Sequence, residues 1–116
     1  MSGREEARAW LEGRRPVPPA SLRARIDSAL AGVPDVEPES PALAEGAGRV
    51  AGVLAEAALD RLRAALGAGR DRRAAMDLLA ADALLTYACE AAAEAGPDAL
   101  EALIQEYGPE RLARLL

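Results

Sequence analysis

The chain contains no histidine, no lysine, no phenylalanine and only one cysteine. Without histidine it cannot form a serine–histidine–aspartate triad, an HExxH zinc site or a histidine proton switch. Without lysine it has neither a Schiff-base amine nor the lysine of a P-loop. One cysteine excludes a disulfide within the chain, and a thiolate zinc site would need ligands from several chains. These absences exclude the commonest catalytic centres, and no cofactor or metal is expected.

Large apolar side chains are scarce in the 116 residues. Aromatic residues make up 3% of the chain, and 29 alanines account for half of its 51% apolar content. Leucine, isoleucine and valine together number 24, a fraction close to the range in which chains stop folding alone. Alanine favours helix but buries little area. We therefore expect one helical domain, residues 1–116, with a limited core.

No stretch has the length and hydrophobicity of a membrane span, because charges interrupt every apolar run before 18 residues. Arg4, Glu5, Glu6 and Arg8 replace the apolar segment that a secretory signal requires. The single cysteine suits a reducing compartment. The use of arginine in place of all lysine, together with abundant alanine, is typical of GC-rich bacterial genomes. We expect a cytoplasmic bacterial protein with no membrane contact.

The first third of the chain predicts two short helices separated by a connector. Ser2 and Glu5 have the spacing of a capping box, which opens a helix ending near Gly13. Prolines make residues 14–19 a stiff connector, and residues 33–40 an exposed loop. Between these segments, a helix over about 20–31 carries an apolar stripe of Leu22, Ile26, Ala29 and Leu30.

Two long helices follow, over about 41–66 and 71–95. Ser40 and Pro41 form a capping residue and a first-turn proline for the first of them, and Asp71 caps the second. The turn at 67–70 is too short to separate them, so they form an antiparallel hairpin. A fifth helix should start at Asp98 and a last one at Glu110. The predicted fold is an all-α bundle in which short helices flank this hairpin.

The second long helix has apolar residues on two nearly opposite faces, which is typical of a central helix. Two sets of residues, each at helical spacing, make up these faces: Ala74, Leu78, Ala81, Leu85, Ala88 and Ala92 on one, and Met76, Leu79, Ala83 and Tyr87 on the other. We therefore expect the first, second and fifth predicted helices to cover both faces. On this register, Leu78→Asp and Leu85→Asp would be the most damaging substitutions, since each would bury an unpaired charge.

Candidate interface residues come from three features. Gly48 and Gly52 continue a small-residue stripe from Ala44 to Ala55, which permits close approach of another helix. Trp10, on a helix tethered by the proline connector, has the reach to contact a neighbouring subunit. Arg70, Arg72 and Arg73 form, with Arg61 and Arg63, a basic turn that would face the acidic C-terminal third of a second chain.

The same basic turn is an alternative anion or nucleic-acid site, because clustered arginines bind phosphate. A pI of 4.8 and the lack of aromatic residues among the arginines disfavour nucleic acid. We expect instead solvated arginines or salt bridges between subunits.

Three residues of the second long helix are candidates for a small-molecule pocket: Asp82, Tyr87 and Cys89. Asp77 and Asp82 point about 140° apart on a helix, so they cannot act together as acid and base. Asp77 is expected to pair with Arg73 at the surface. With no activating histidine, Cys89 is expected to be a buried structural cysteine.

The sequence thus favours a non-enzymatic helical interaction or regulatory module, with a homodimer or another protein as its partner. The alternative is a bundle that binds a small molecule near Tyr87 and Cys89.

Overall fold

The computed structural model describes residues 2–34 and 37–115, and among these it contains six α-helices, one 3-10 turn and no β-strand. The predicted all-α bundle built on a helix hairpin is confirmed. In chain order the elements are α1 (Gly3–Glu12), α2 (Ala20–Ala31), the 3-10 turn (Pro41–Leu43), α3 (Gly46–Ala68), α4 (Arg72–Ala95), α5 (Pro97–Tyr107) and α6 (Pro109–Ala113).

The hairpin of α3 and α4 forms the centre of the molecule. Asp71 begins α4 as predicted, because its carboxylate accepts a hydrogen bond of 3.2 Å from the backbone N–H of Arg73. Gly69, with φ of 64°, supplies the left-handed conformation of the connecting turn. The main core lies where the two helices meet, and its largest fully buried side chains in this region are Leu54 and Leu84.

The shorter helices pack around the hairpin, and they include the predicted cap of α1 and the predicted buried stripe of α2. Ser2 accepts a hydrogen bond of 3.2 Å from the backbone N–H of Glu5, which caps α1. α1 lies against α2 and α3, α2 contacts both long helices, and α5 packs on α4. Three residues of the predicted α2 stripe are fully buried, namely Ile26, Ala29 and Leu30.

The start of the first long helix differs from the prediction. Ser40 and Pro41 begin only a 3-10 turn, and α3 begins at Gly46, whose φ of 59° redirects the chain. Packing accounts for this difference. Leu43 is buried against Ala99 and Ala102 of α5, so the segment that carries it does not continue along the axis of α3. At its other end α3 extends to Ala68, past the predicted stop at Leu66.

The register of α4 was also wrong in part. Leu78 is 53% exposed rather than buried, whereas Leu84, assigned to neither predicted face, has no exposed surface. The observed buried side is formed by residues in the register Ala74, Asp77, Ala80, Ala81, Leu84, Ala88, Ala91 and Ala92. The uniform apolar character of this helix left its rotation undetermined by periodicity alone.

Smaller corrections concern the chain ends and loops. α5 starts at Pro97, with Gly96 rather than Asp98 as its capping residue, and Ile104 of its predicted stripe is 58% exposed. Val33, at the start of the predicted exposed loop, is buried. The remainder of that prediction at residues 35 and 36, and Leu116 of the last helix, lie outside the described residues. No helix among the described residues is long and apolar enough to cross a membrane.

Candidate interaction surface

One side of the N-terminal half of α4 has no covering element among the described residues. We call the exposed residues Arg72, Ala75, Leu78, Leu79 and Asp82 the outer face of α4. Leu78 and Leu79 are 53% and 49% exposed, which is unusual for adjacent leucines in a helix that is otherwise central. α5 spans 11 residues and α4 spans 24, so α5 is too short to cover the whole of α4.

The C-terminal half of α4 is fixed to α1 by a cluster around Glu94. The indole N–H of Trp10 donates a hydrogen bond of 2.8 Å to one carboxylate oxygen, and the Arg14 guanidinium donates one of 2.6 Å to the other. The same guanidinium stacks 4.0 Å above the Trp10 ring, and Tyr87 meets that ring edge-on. The hydrogen bond from Trp10, followed by that from Arg14, lowers the pKa of the Glu94 carboxyl.

On its buried side, the N-terminal half of α4 is connected to neighbouring helices through Asp77. This carboxylate is 5% exposed and lies 3.5 Å from an Arg61 nitrogen on α3 and 3.8 Å from an Arg25 nitrogen on α2. Asp77 therefore joins three helices, and the predicted surface pair with Arg73 was wrong because Asp77 points toward α2 and α3. Asp82 lies on the exposed side, so the predicted separation of the two aspartates is confirmed.

The predicted basic turn is divided between two environments. Arg61 belongs to the Asp77 cluster and also donates a hydrogen bond of 2.7 Å to Asp60. Arg70, Arg72 and Arg73 are exposed, and none of them forms an ion pair with another described residue. The three arginines thus leave a basic end on α4, next to its exposed leucines.

The other candidate interface residues make contacts within the chain. A Cβ on Gly48 would lie 2.1 Å from the Ala42 carbonyl oxygen, so this glycine permits the close approach of the 3-10 turn. A Cβ on Gly52 would face the Tyr107 hydroxyl at 3.9 Å. Trp10 is held against α4 by Glu94 and Tyr87, as described above. The small-residue stripe therefore serves the packing of the monomer.

The candidate pocket residues do not come together. Cys89 is exposed, so the prediction of a buried cysteine was wrong: the rotation of α4 that buries Leu84 turns position 89 outward. Asp82 is exposed on the same side. Tyr87 is two residues from Cys89, which places it about 200° away around the helix, against Trp10.

A concavity of about 860 Å³ lies elsewhere, on the side of the molecule formed by α3, α5 and the loop before the 3-10 turn. Glutamates and arginines line much of it, and several of them are already paired: Arg111 with Glu56 at 3.1 Å and Arg49 with Glu6 at 3.2 Å. Burial and the neighbouring carboxylates raise the pKa of the Tyr107 phenol at its wall. This lining differs from the mostly apolar walls of small-molecule pockets.

No grouping of histidine, cysteine and acidic side chains among the described residues has the arrangement of metal ligands. No protein-family model matches the chain, and searches of the curated proteins and of the solved structures match nothing.

Proposed function

We propose that the chain is a non-enzymatic helical interaction module that associates with a second copy of itself through the outer face of α4. The observation that carries this proposal is the pair of half-exposed leucines, Leu78 and Leu79, on the exposed side of α4. An amphipathic helix that exposes adjacent large apolar residues gains free energy by covering them.

The distribution of charged side chains supports binding rather than catalysis. Asp77 is bound to arginines from two helices, and Glu94 to Trp10 and Arg14, so these carboxylates connect elements of the fold. Asp82 has no second carboxylate on its side of α4 within one helical turn. An acid–base pair with separated pKa values is therefore not assembled on this helix.

The proposal is tested by multi-angle light scattering over a range of protein concentrations from micromolar to millimolar. We expect the apparent mass to rise from 12.1 kDa, the mass of one chain, toward twice that value. The double variant Leu78→Gln, Leu79→Gln should stay near the single-chain mass at concentrations where the unmodified protein is dimeric.

Ile104 provides a matched control, because it is 58% exposed but lies on α5. Ile104→Gln removes a similar exposed apolar side chain and should leave the association unchanged. A mass of one chain at every concentration would reject self-association. Equal effects of the two substitutions would reject the outer face of α4 as its location.

A further inference from the structure

Four of the five residues on the outer face of α4, all except Leu78, have a spacing that is complementary to itself in one orientation. Arg72, Ala75, Leu79 and Asp82 follow one another at intervals of three, four and three residues. At 100° per residue they lie within a stripe about 80° wide, on the side of the helix opposite Asp77. The burial of Asp77 and the exposure of all four residues agree with this placement.

We infer that two copies pair through these stripes in antiparallel orientation, about a twofold axis that lies between the two α4 helices at the level of residue 77. This inference rests on the proposed self-association and specifies its geometry. The symmetric intervals bring Arg72 opposite Asp82 of the partner subunit, and Ala75 opposite Leu79 of the partner subunit. Because the operation is twofold, each of these contacts occurs twice, as in an isologous interface.

Charge selects this orientation. Arg70, Arg72 and Arg73 are exposed at the N-terminal end of α4, whereas the exposed charges farther along the helix, Asp82 and Glu90, are acidic. A parallel pair would place Arg72 of one copy next to Arg72 of the partner subunit. An antiparallel pair places Arg72 opposite Asp82 of the partner subunit, and it also sets the two helix dipoles in opposite directions, which is the favourable arrangement.

The short length of the stripe limits the affinity. The eleven residues from Arg72 to Asp82 are separated by ten steps of 1.5 Å and span about 15 Å, so the interface is smaller than the roughly 800 Å² per partner of a standard complex. We therefore expect a dissociation constant in the micromolar range or weaker, with a further loss at raised salt as the exposed charge pairs are screened.

Charge reversal tests the orientation. The single variants Arg72→Glu and Asp82→Arg each place like charges opposite one another twice in the antiparallel pair, so each should weaken homodimerisation about tenfold or more. An equimolar mixture of the two variants should recover the dimer as a heterodimer, because both cross-subunit pairs then have opposite charges. The double variant Arg72→Glu, Asp82→Arg should likewise recover the homodimer.

Dissociation constants are measured by sedimentation equilibrium, and circular dichroism confirms that each variant remains helical. Arg8→Glu is the control, since it reverses an exposed arginine on α1. If the unmodified protein dimerises but the single reversals have no effect, or if the mixture and the double variant fail to recover the dimer, the antiparallel arrangement is wrong and self-association stands. If the unmodified protein does not associate at all, both proposals are wrong.

Discussion

Trp10 donates its indole N–H to Glu94 across 84 residues of sequence, at a distance of 2.8 Å, and this bond joins the first helix to the end of the fourth. Arg14 completes the arrangement by contacting both partners, with its guanidinium over the indole ring and a hydrogen bond to the same carboxylate. The N-terminal helix is thereby anchored to the C-terminal half of α4.

The anchor should weaken in acid. Since the folded state lowers the pKa of Glu94, its contribution to stability is complete above the ordinary glutamate value of about 4.3 and is lost as the pH falls through the lower folded value. We expect a change in Trp10 fluorescence over this acidic range. In Glu94→Gln the amide still accepts from the indole but carries no charge for Arg14, so the difference in stability between this variant and the unmodified protein should shrink as the pH falls. A constant difference between pH 7 and pH 3 would contradict the assignment.

Gly48 and Gly67 give opposite expectations for the same substitution in α3. A Cβ at position 48 would lie 2.1 Å from the Ala42 carbonyl oxygen, so Gly48→Ala should destabilise the fold by about 1–3 kcal/mol through displacement of the 3-10 turn. A Cβ at position 67 meets nothing within 4 Å, and Gly67→Ala should stabilise α3 by about 0.5–1 kcal/mol. Urea denaturation measures both, and a loss of stability in Gly67→Ala would contradict this account.

Local signals in the sequence predicted the starts of α1 and α4 correctly. Ser2 and Asp71 cap helices as expected, because a capping side chain acts on backbone groups two or three residues away. Ser40 also forms its expected hydrogen bond, to the backbone N–H of Ala42, but the resulting element is a 3-10 turn. The chain does not continue as a helix after this turn, because Leu43 is buried against α5. That contact joins distant parts of the sequence and leaves no local pattern.

The rotation of α4 shows the limit of periodicity in an alanine-rich helix. When small apolar residues occupy most positions, several rotations bury nearly equal apolar area, and the choice depends on the neighbours. Here the buried side includes Asp77, although periodicity would place a charged residue outside. Arg25 and Arg61 from other helices form ion pairs with its carboxylate and so permit its burial. The exposed leucines of the candidate surface could not be found from the sequence for the same reason.

Within the Asp77 cluster, we expect loss of an arginine to reduce the stability of the fold more than loss of the aspartate charge. Arg61→Met leaves the buried carboxylate with only the Arg25 nitrogen at 3.8 Å, so it should destabilise the protein by about 3 kcal/mol. Asp77→Asn should be less harmful, because both arginines retain contact with solvent. Adding Asp77→Leu to Arg61→Met should recover part of the loss, since no unpaired charge then remains buried. Greater damage from Asp77→Asn than from Arg61→Met would contradict this account.

The leucines of α4 provide the most direct check of its rotation. Leu84 is fully buried at the contact with α3, whereas Leu78 is half-exposed, although the two differ by less than two helical turns. Leu84→Ala should reduce the free energy of unfolding by about 2–5 kcal/mol, because it removes buried methyl groups and leaves a cavity. Leu78→Ala should change it by about 0.5 kcal/mol or less, the usual range for a surface position. Both are measured by urea denaturation at concentrations low enough to keep the protein monomeric, so that any effect on association does not contribute. Under those conditions, equal losses from the two substitutions would mean that α4 is rotated from the orientation described here, and would remove the outer face on which the proposed pairing depends.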